Sequence, residues 1–134
     1  MLDTYLRCEA CQAVAFQFLL EFNVAEKYSK SAFGQLSSRT VEMVGNEEGA
    51  CAPEHFEEHH FRNVNETRYL AGVGMPMAAD SSEGYPIPGN CTVPLAIRCV
   101  ELMREVGMAQ LYHAYSTRTL EHVACMEETR QCRE

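Results

Sequence analysis

The sequence predicts an all-α domain stapled by disulfides, with one long Gly/Pro loop at about 73–90. Three observations carry this. Apolar residues recur at spacings of 3 and 4 along most of the 134 residues. Strand signals are weak, with only Val73 and Thr92-Val93 hinting at extension. Seven cysteines are more than a reducing compartment usually sees in a chain of this size. At this length, and with 46 % apolar residues, the expectation is one domain over 1–134 with a single modest core.

The first predicted helix covers about 3–29. Leu6, Cys8, Cys11, Ala15, Phe18, Leu19, Phe22 and Ala25 form its stripe, Val14 and Phe16 widen it, and Asp3 or Thr4 caps its start. A second helix is expected at about 31–46, on Phe33, Leu36, Thr40, Met43 and Val44, with Gly45-Asn46 as its stop and Gly34 weakening its start. A third is expected at about 51–72, where Pro53 suits a first turn and Phe56, His59, His60, Val64 and Leu70 give a looser pattern. The stretch from Gly72 to Asn90 holds four glycines and three prolines and reads as a loop. Helices follow at about 92–105 (Leu95, Cys99, Leu102, Met103), 108–116 (Met108, Leu111, Tyr112, Tyr115) and 118–130 (Leu120, Val123, Ala124), with Gly107 between the first two.

Charge narrows the function classes. The net charge is −8, so a nucleic-acid partner is excluded for want of a basic face. Residues 42–66 carry seven acids against Arg62 alone, and the rest of the chain is close to neutral. This segment reads as a solvated face or as a docking surface for a basic partner, with Glu47, Glu48, Glu54, Glu57 and Glu58 as its candidate contacts. Five histidines would soften the field at acidic pH. Met75, Met77 and Tyr85 in the loop are further candidate contacts, methionine being suited to adaptable surfaces as well as to cores. No apolar run is long enough to span a bilayer. A basic-then-apolar leader and a retention tail are both missing, so the expectation is a mature or trimmed chain.

The cysteines are Cys8, Cys11, Cys51, Cys91, Cys99, Cys125 and Cys132, so at least one is left over. Any of the seven can be the spare, and the other six allow 15 pairings, so spacing alone does not choose. Cys8 and Cys11 lie one helical turn apart on one face, and Cys125 and Cys132 about two turns apart. If the first and last helices run antiparallel, Cys8 pairs with Cys132 and Cys11 with Cys125. Cys51 then pairs with Cys99 or Cys91. Cys99 sits on an apolar stripe, which favours Cys51–Cys99 and leaves Cys91 free or in an intermolecular bond.

In Arg7-Cys-Glu-Ala-Cys-Gln-Ala-Val-Ala-Phe-Gln17, a CxxC opens an amphipathic helix. Cys51 follows a second helix, Arg68-Tyr-Leu-Ala-Gly72 lies before the loop, and Cys99-Val-Glu-Leu-Met-Arg-Glu-Val-Gly107 and Gln110-Leu-Tyr-His-Ala114 come after it. Val123-Ala-Cys125 through Cys132 closes the chain. Over nearly its whole length this layout resembles the saposin-like family, most closely the branch of canopy and marginal-zone B-cell proteins. The resemblance implies a disulfide-linked helical bundle that works in the secretory pathway as a non-enzymatic folding helper, binding client proteins or partnering a large chaperone. The extra Cys91 and the missing leader and tail depart from the family pattern.

The other chemistry-bearing patterns are weaker. Cys8 and Cys11 fall inside a helix with no strand before it, so they read as disulfide ends rather than as a redox site. Cys51, His55 and His59 share a helical spacing, with Glu58 and His60 nearby, but match no standard zinc pattern, and no metal is assigned. His113 and His122 are lone histidines. Asn65-Glu-Thr and Asn90-Cys-Thr are N-glycosylation sequons. No phosphate-binding loop, dinucleotide motif or catalytic triad is present, so no cofactor and no catalytic residue are assigned.

The expected function is therefore a protein-binding module in an oxidising lumen, that of the endoplasmic reticulum first. The runner-up is a peripheral subunit on the lumenal face of a large membrane complex, such as a photosynthetic assembly in the thylakoid lumen. A saposin-type lipid binder ranks third, and an oxidoreductase using Cys8 and Cys11 last.

Overall fold

The computed structural model describes residues 4–29, 35–46, 49–128 and 132. Helix α1 (Thr4–Ser29) is the spine, 26 residues and about 39 Å long. Its stripe of Val14, Phe18 and Phe22 is fully buried. Against it pack α2 (Ser38–Val44), α3 (Thr92–Val106), α4 (Met108–Ser116), a small sheet and a closing π-helical segment, His122–Glu128. Leu95 and Leu102 of α3, Leu111 of α4 and Phe56 complete the core.

Three disulfides hold these elements. Cys8–Cys132 and Cys11–Cys125 tie the first turns of α1 to the end of the chain across 124 and 114 residues, with Cα atoms 4.5 and 5.8 Å apart. Cys51–Cys99 fastens the turn after α2 to the middle of α3. In the chain-entropy account, loops of more than a hundred residues are each worth about 4–5 kcal/mol. Cys91 is free and buried at the start of α3, and burial pushes its thiol pKa up.

Three sequence expectations are corrected. The molecule is mostly helical but not all-α, because the third predicted helix is replaced by a short 3₁₀ turn (Pro53–Phe56) and a β-hairpin. Strands β1 (His60–Val64) and β2 (Thr67–Ala71) pair antiparallel, His60 opposite Ala71 and Val64 opposite Thr67. Period 2 wins over period 3.6 here. Phe61 and Leu70 sit cross-strand on the core side, while the pair Arg62–Tyr69 takes the other face. The 73–90 loop is likewise not structureless. Its Tyr85–Pro86 forms β3 on the free edge of β1, giving the order β2-β1-β3, and Met77 bridges back to Ala71. Arg62 anchors this arrangement: Nε donates to the carbonyl of Glu83 at 2.8 Å and Nη2 to that of Gly84 at 3.3 Å. The one base of the acidic segment is thus 8 % exposed and serves the loop rather than solvent. Finally, the closing helix is wound as a π-helix where a regular helix was expected, and α2 is shorter than expected. Ser37 caps α2, its hydroxyl accepting from Thr40 N. Residues 31–34 of the predicted second helix and 129–130 of the predicted sixth lie outside the described residues.

The β1–β2 turn is the two residues Asn65 and Glu66, with φ of 52° and 68°. Two-residue hairpin turns with both centres left-handed match strand twist but favour Asn-Gly. Asn65 tolerates this backbone; the Cβ of Glu66 is strained by it. Glu66→Gly should therefore stabilise the protein by about 1 kcal/mol, read as a higher midpoint in denaturant unfolding.

Candidate functional site

A half-open groove of about 1010 Å³ lies along α1. The helical period places Gln12, Phe16, Leu19, Asn23 and Glu26 on one flank of α1, beside the core stripe. Tyr112 and Tyr115, one turn apart on α4, form the opposite wall, and Gly74, Met75 and Pro76 close one end. The approach of that loop depends on glycine. At Gly74 (φ +83°) a Cβ would come within 2.3 Å of the Phe16 ring, and at Gly72 within 2.3 Å of the His59 ring.

The polar wall is a network centred on Glu26. Tyr112 Oη donates to Glu26 Oε2 at 2.7 Å and accepts from Leu36 N at 3.0 Å. The Tyr115 hydroxyl donates to Asn23 Oδ1 at 2.6 Å and lies 3.2 Å from Glu26 Oε1. The two rings stack at 6.0 Å, and each sits 5.3 Å from Phe22 of the core. Burial, reinforced by the Glu26 charge, pushes the Tyr115 hydroxyl up to about 12 and raises Tyr112 as well. Both phenols stay protonated donors at any physiological pH. Chemically the groove pairs an apolar floor (Phe16, Leu19, Met75, Leu120) with hydrogen-bonding groups and the charged side chains of Glu26, Glu121 and Arg118.

His59 secures the loop end. It is 3 % exposed, and Nε2 donates to the Val73 carbonyl at 3.1 Å, next to Gly74. Nδ1 is buried without a partner among the described residues. Burial above all, with repulsion from His60, holds its pKa below the ordinary value, against the opposing effects of the Val73 bond and Glu58.

The contact residues expected from sequence are dispersed. Met75 is 9 % exposed and lines the groove between Gly74 and Pro76. Met77 is half-buried at its bridge to Ala71, and Tyr85 on β3 is 60 % exposed. Glu54, Glu57 and Glu58 are exposed on and after the 3₁₀ turn; Glu47 and Glu48 lie outside the described residues. The sequons place Asn65 on the hairpin turn and Asn90 just before α3, both exposed. Sequence reasoning missed Asn23, Glu26 and the pairing of Tyr112 with Tyr115. The usable signal was a tyrosine pair at i, i+3 together with the polar positions Asn23 and Glu26 at i, i+3.

The two alternative chemistries find little support in the geometry. Cys8 and Cys11 are bonded to Cys132 and Cys125, not to each other, and Glu9 between them turns its carboxylate to the Leu70 amide at 2.9 Å. Cys51 is spent in a disulfide, and His55 lies 3.2 Å from Glu21 Oε1 and 3.0 Å from the Gly49 carbonyl. Among the described residues no group of three or more His, Cys, Asp or Glu is placed to hold a metal ion.

Fold and groove together define a class: a mostly helical, disulfide-stapled protein with a groove along its first helix and a small accessory sheet. No family model matches the chain. Curated relatives do. The marginal zone B- and B1-cell-specific protein of Rattus norvegicus is 30 % identical over 131 residues, covering 92 % of this chain and 68 % of the relative. The protein of that name from Mus musculus is 29 % identical over 123 residues, and that from Homo sapiens 23 % over 117, each covering 85 % of this chain. The chain belongs to this family, in the canopy branch. It spans 68, 62 and 61 % of the three relatives' lengths.

Two outcomes follow. His59 is neutral in the fold and protonates near pH 6.5 when unfolded, so the unfolded chain binds the extra proton as pH drops. Thermal stability should fall from pH 7 to 5.5, and His59→Gln should flatten that slope. Glu9, raised by burial against the lowering effect of the Leu70 bond, contributes in the opposite sense, so the His59→Gln comparison is what isolates the histidine. In an alkaline absorbance titration one tyrosine should ionise near 12; Tyr115→Phe should remove that component, and Glu26→Gln should move it down.

Proposed function

We propose that this chain is a non-enzymatic protein-binding partner of an oxidising lumen, that of the endoplasmic reticulum, acting as a folding helper or accessory subunit. The groove along α1 is its contact site. Three lines support the reading. Membership of the family sets the class. Three disulfides are stable only where thiols are not kept reduced. Among the described residues no helix is long and apolar enough to cross a membrane.

The groove is the observation that carries the proposal. Its size suits several side chains of a partner polypeptide, and its methionine and aromatic floor adapts to different apolar groups. Glu26 and the phenols give direction to a partner's basic or amide groups. The disulfides fix α1, one wall of the groove, before any partner arrives, which lowers the ordering cost of binding. The exposed acids Glu54, Glu57 and Glu58 would steer a basic partner towards the domain.

Lipid binding is a second reading, favoured by a separate feature. Leu20, Val24 and Tyr28 recur at i, i+4, i+8 on α1 and are 37, 54 and 74 % exposed, so that helix is apolar on two sides. A photo-crosslinking residue at the exposed groove position Asn23, in the full oxidised chain within its native lumen, separates the two. Protein adducts at Asn23, absent when the crosslinker replaces the exposed Val93 of α3, are the expected result. Lipid adducts alone at Asn23 would overturn the protein-binding reading.

A further inference from the structure

Two glycosylation sequons lie in the chain, and the fold treats them differently. Asn65 occupies the apex of the β1–β2 hairpin, exposed, in left-handed backbone that asparagine tolerates. Its turn partner Glu66 is exposed too, and its amide is taken by Asn63 Oδ1 at 3.0 Å. The sequon hydroxyl, on Thr67, opens β2, an edge strand of the sheet. Asn65 and Glu66 are thus exposed at the hairpin tip, and Thr67, half-buried, follows them at the start of the edge strand.

Asn90-Cys-Thr is closed by comparison. Asn90 Oδ1 accepts the Thr92 amide at 2.7 Å. The Thr92 hydroxyl points inward to the Phe56 carbonyl, at 3.4 Å, and Thr92 is half-buried as the first residue of α3. The middle residue, Cys91, is 4 % exposed. Both the carboxamide and the hydroxyl that define the sequon are engaged with the chain's own backbone.

We propose that Asn65 is the N-glycan acceptor of this protein and that Asn90 stays unmodified. The inference rests on the lumenal reading above, because the donor, a lipid pyrophosphate-linked oligosaccharide, is found only along the secretory route. In the transfer, Asn65 Nδ2 attacks the anomeric carbon of the donor. An N–C bond forms, the C–O bond to the pyrophosphate breaks, the amide gives up one proton, and the lipid pyrophosphate leaves; no electrons are exchanged. A glycan at Asn65 extends from a residue that does not line the α1 groove. The groove stays open.

The test is expression of the full chain behind a cleavable secretion leader in cells with a secretory pathway. Non-reducing electrophoresis shows that the disulfides have formed, and glycan is read as a mobility step removed by a peptide amidase. The expected result is one step in the wild type and in Asn90→Gln, and none in Asn65→Gln. Thr67→Ser should keep the step and Thr67→Val should lose it, which separates loss of the acceptor from a misfolded hairpin. An oxidised chain with no step, a step that survives Asn65→Gln, or a second step lost in Asn90→Gln would each overturn the assignment. Because the leader imposes entry, the lumenal reading fails separately, if the endogenous protein is found outside the secretory route.

Discussion

Everything in this structure hangs on α1 and the two disulfides that bind its first turns to the end of the chain. Cys8–Cys132 and Cys11–Cys125 close loops of 124 and 114 residues, so they constrain almost the whole unfolded ensemble at once. They also hold α1 in a single position along the core. With that helix fixed, one flank buries Val14, Phe18 and Phe22, and the next faces the groove with Phe16, Leu19 and Glu26. A small domain with one modest core depends on such staples more than a large one does.

The groove repeats this logic on a smaller scale. Its polar wall is a paired network: Glu26 accepts from Tyr112, Asn23 accepts from Tyr115, Tyr112 accepts from the Leu36 amide, and both rings rest on Phe22. The loop end is less secure. There a single histidine, with one ring nitrogen unpartnered among the described residues, links the approach to the hairpin to the glycine turn that shapes the groove. An unpartnered buried nitrogen thus lies next to the turn that ends the groove. Binding regions are generally drawn from the less stable parts of a fold.

The small sheet is what separates this molecule from a plain helical bundle. Arg62 shows why it exists. A base placed among seven acids would ordinarily sit in solvent, yet it lies in β1 with its guanidinium on the Glu83 and Gly84 carbonyls. Those bonds convert a Gly/Pro-rich stretch into a third strand and give the hairpin a covered edge. The acidic segment therefore keeps its charge on the outside, on Glu54, Glu57 and Glu58, while its one cation works within.

The sequence by itself determined the helices that have strong 3.6-residue periodicity and clear stops. The span expected at 108–116 is Met108–Ser116, and 92–105 is Thr92–Val106, because Gly107 breaks the helix between two apolar stripes. Helix α1 was legible for the same reason. The hairpin was not. His60, Val64 and Leu70 mimic helical spacing, and the turn lacks the glycine that normally announces it; alternation becomes decisive only once Leu70 and Phe61 have a core to face. Periodicity places Cys8 and Cys11 on one face, but which sulfurs meet is a matter of how distant helices cross, and that is tertiary. The groove belongs to the same category. Glu26 and Tyr112 lie 86 residues apart, and nothing local to either residue encodes the 2.7 Å bond between them.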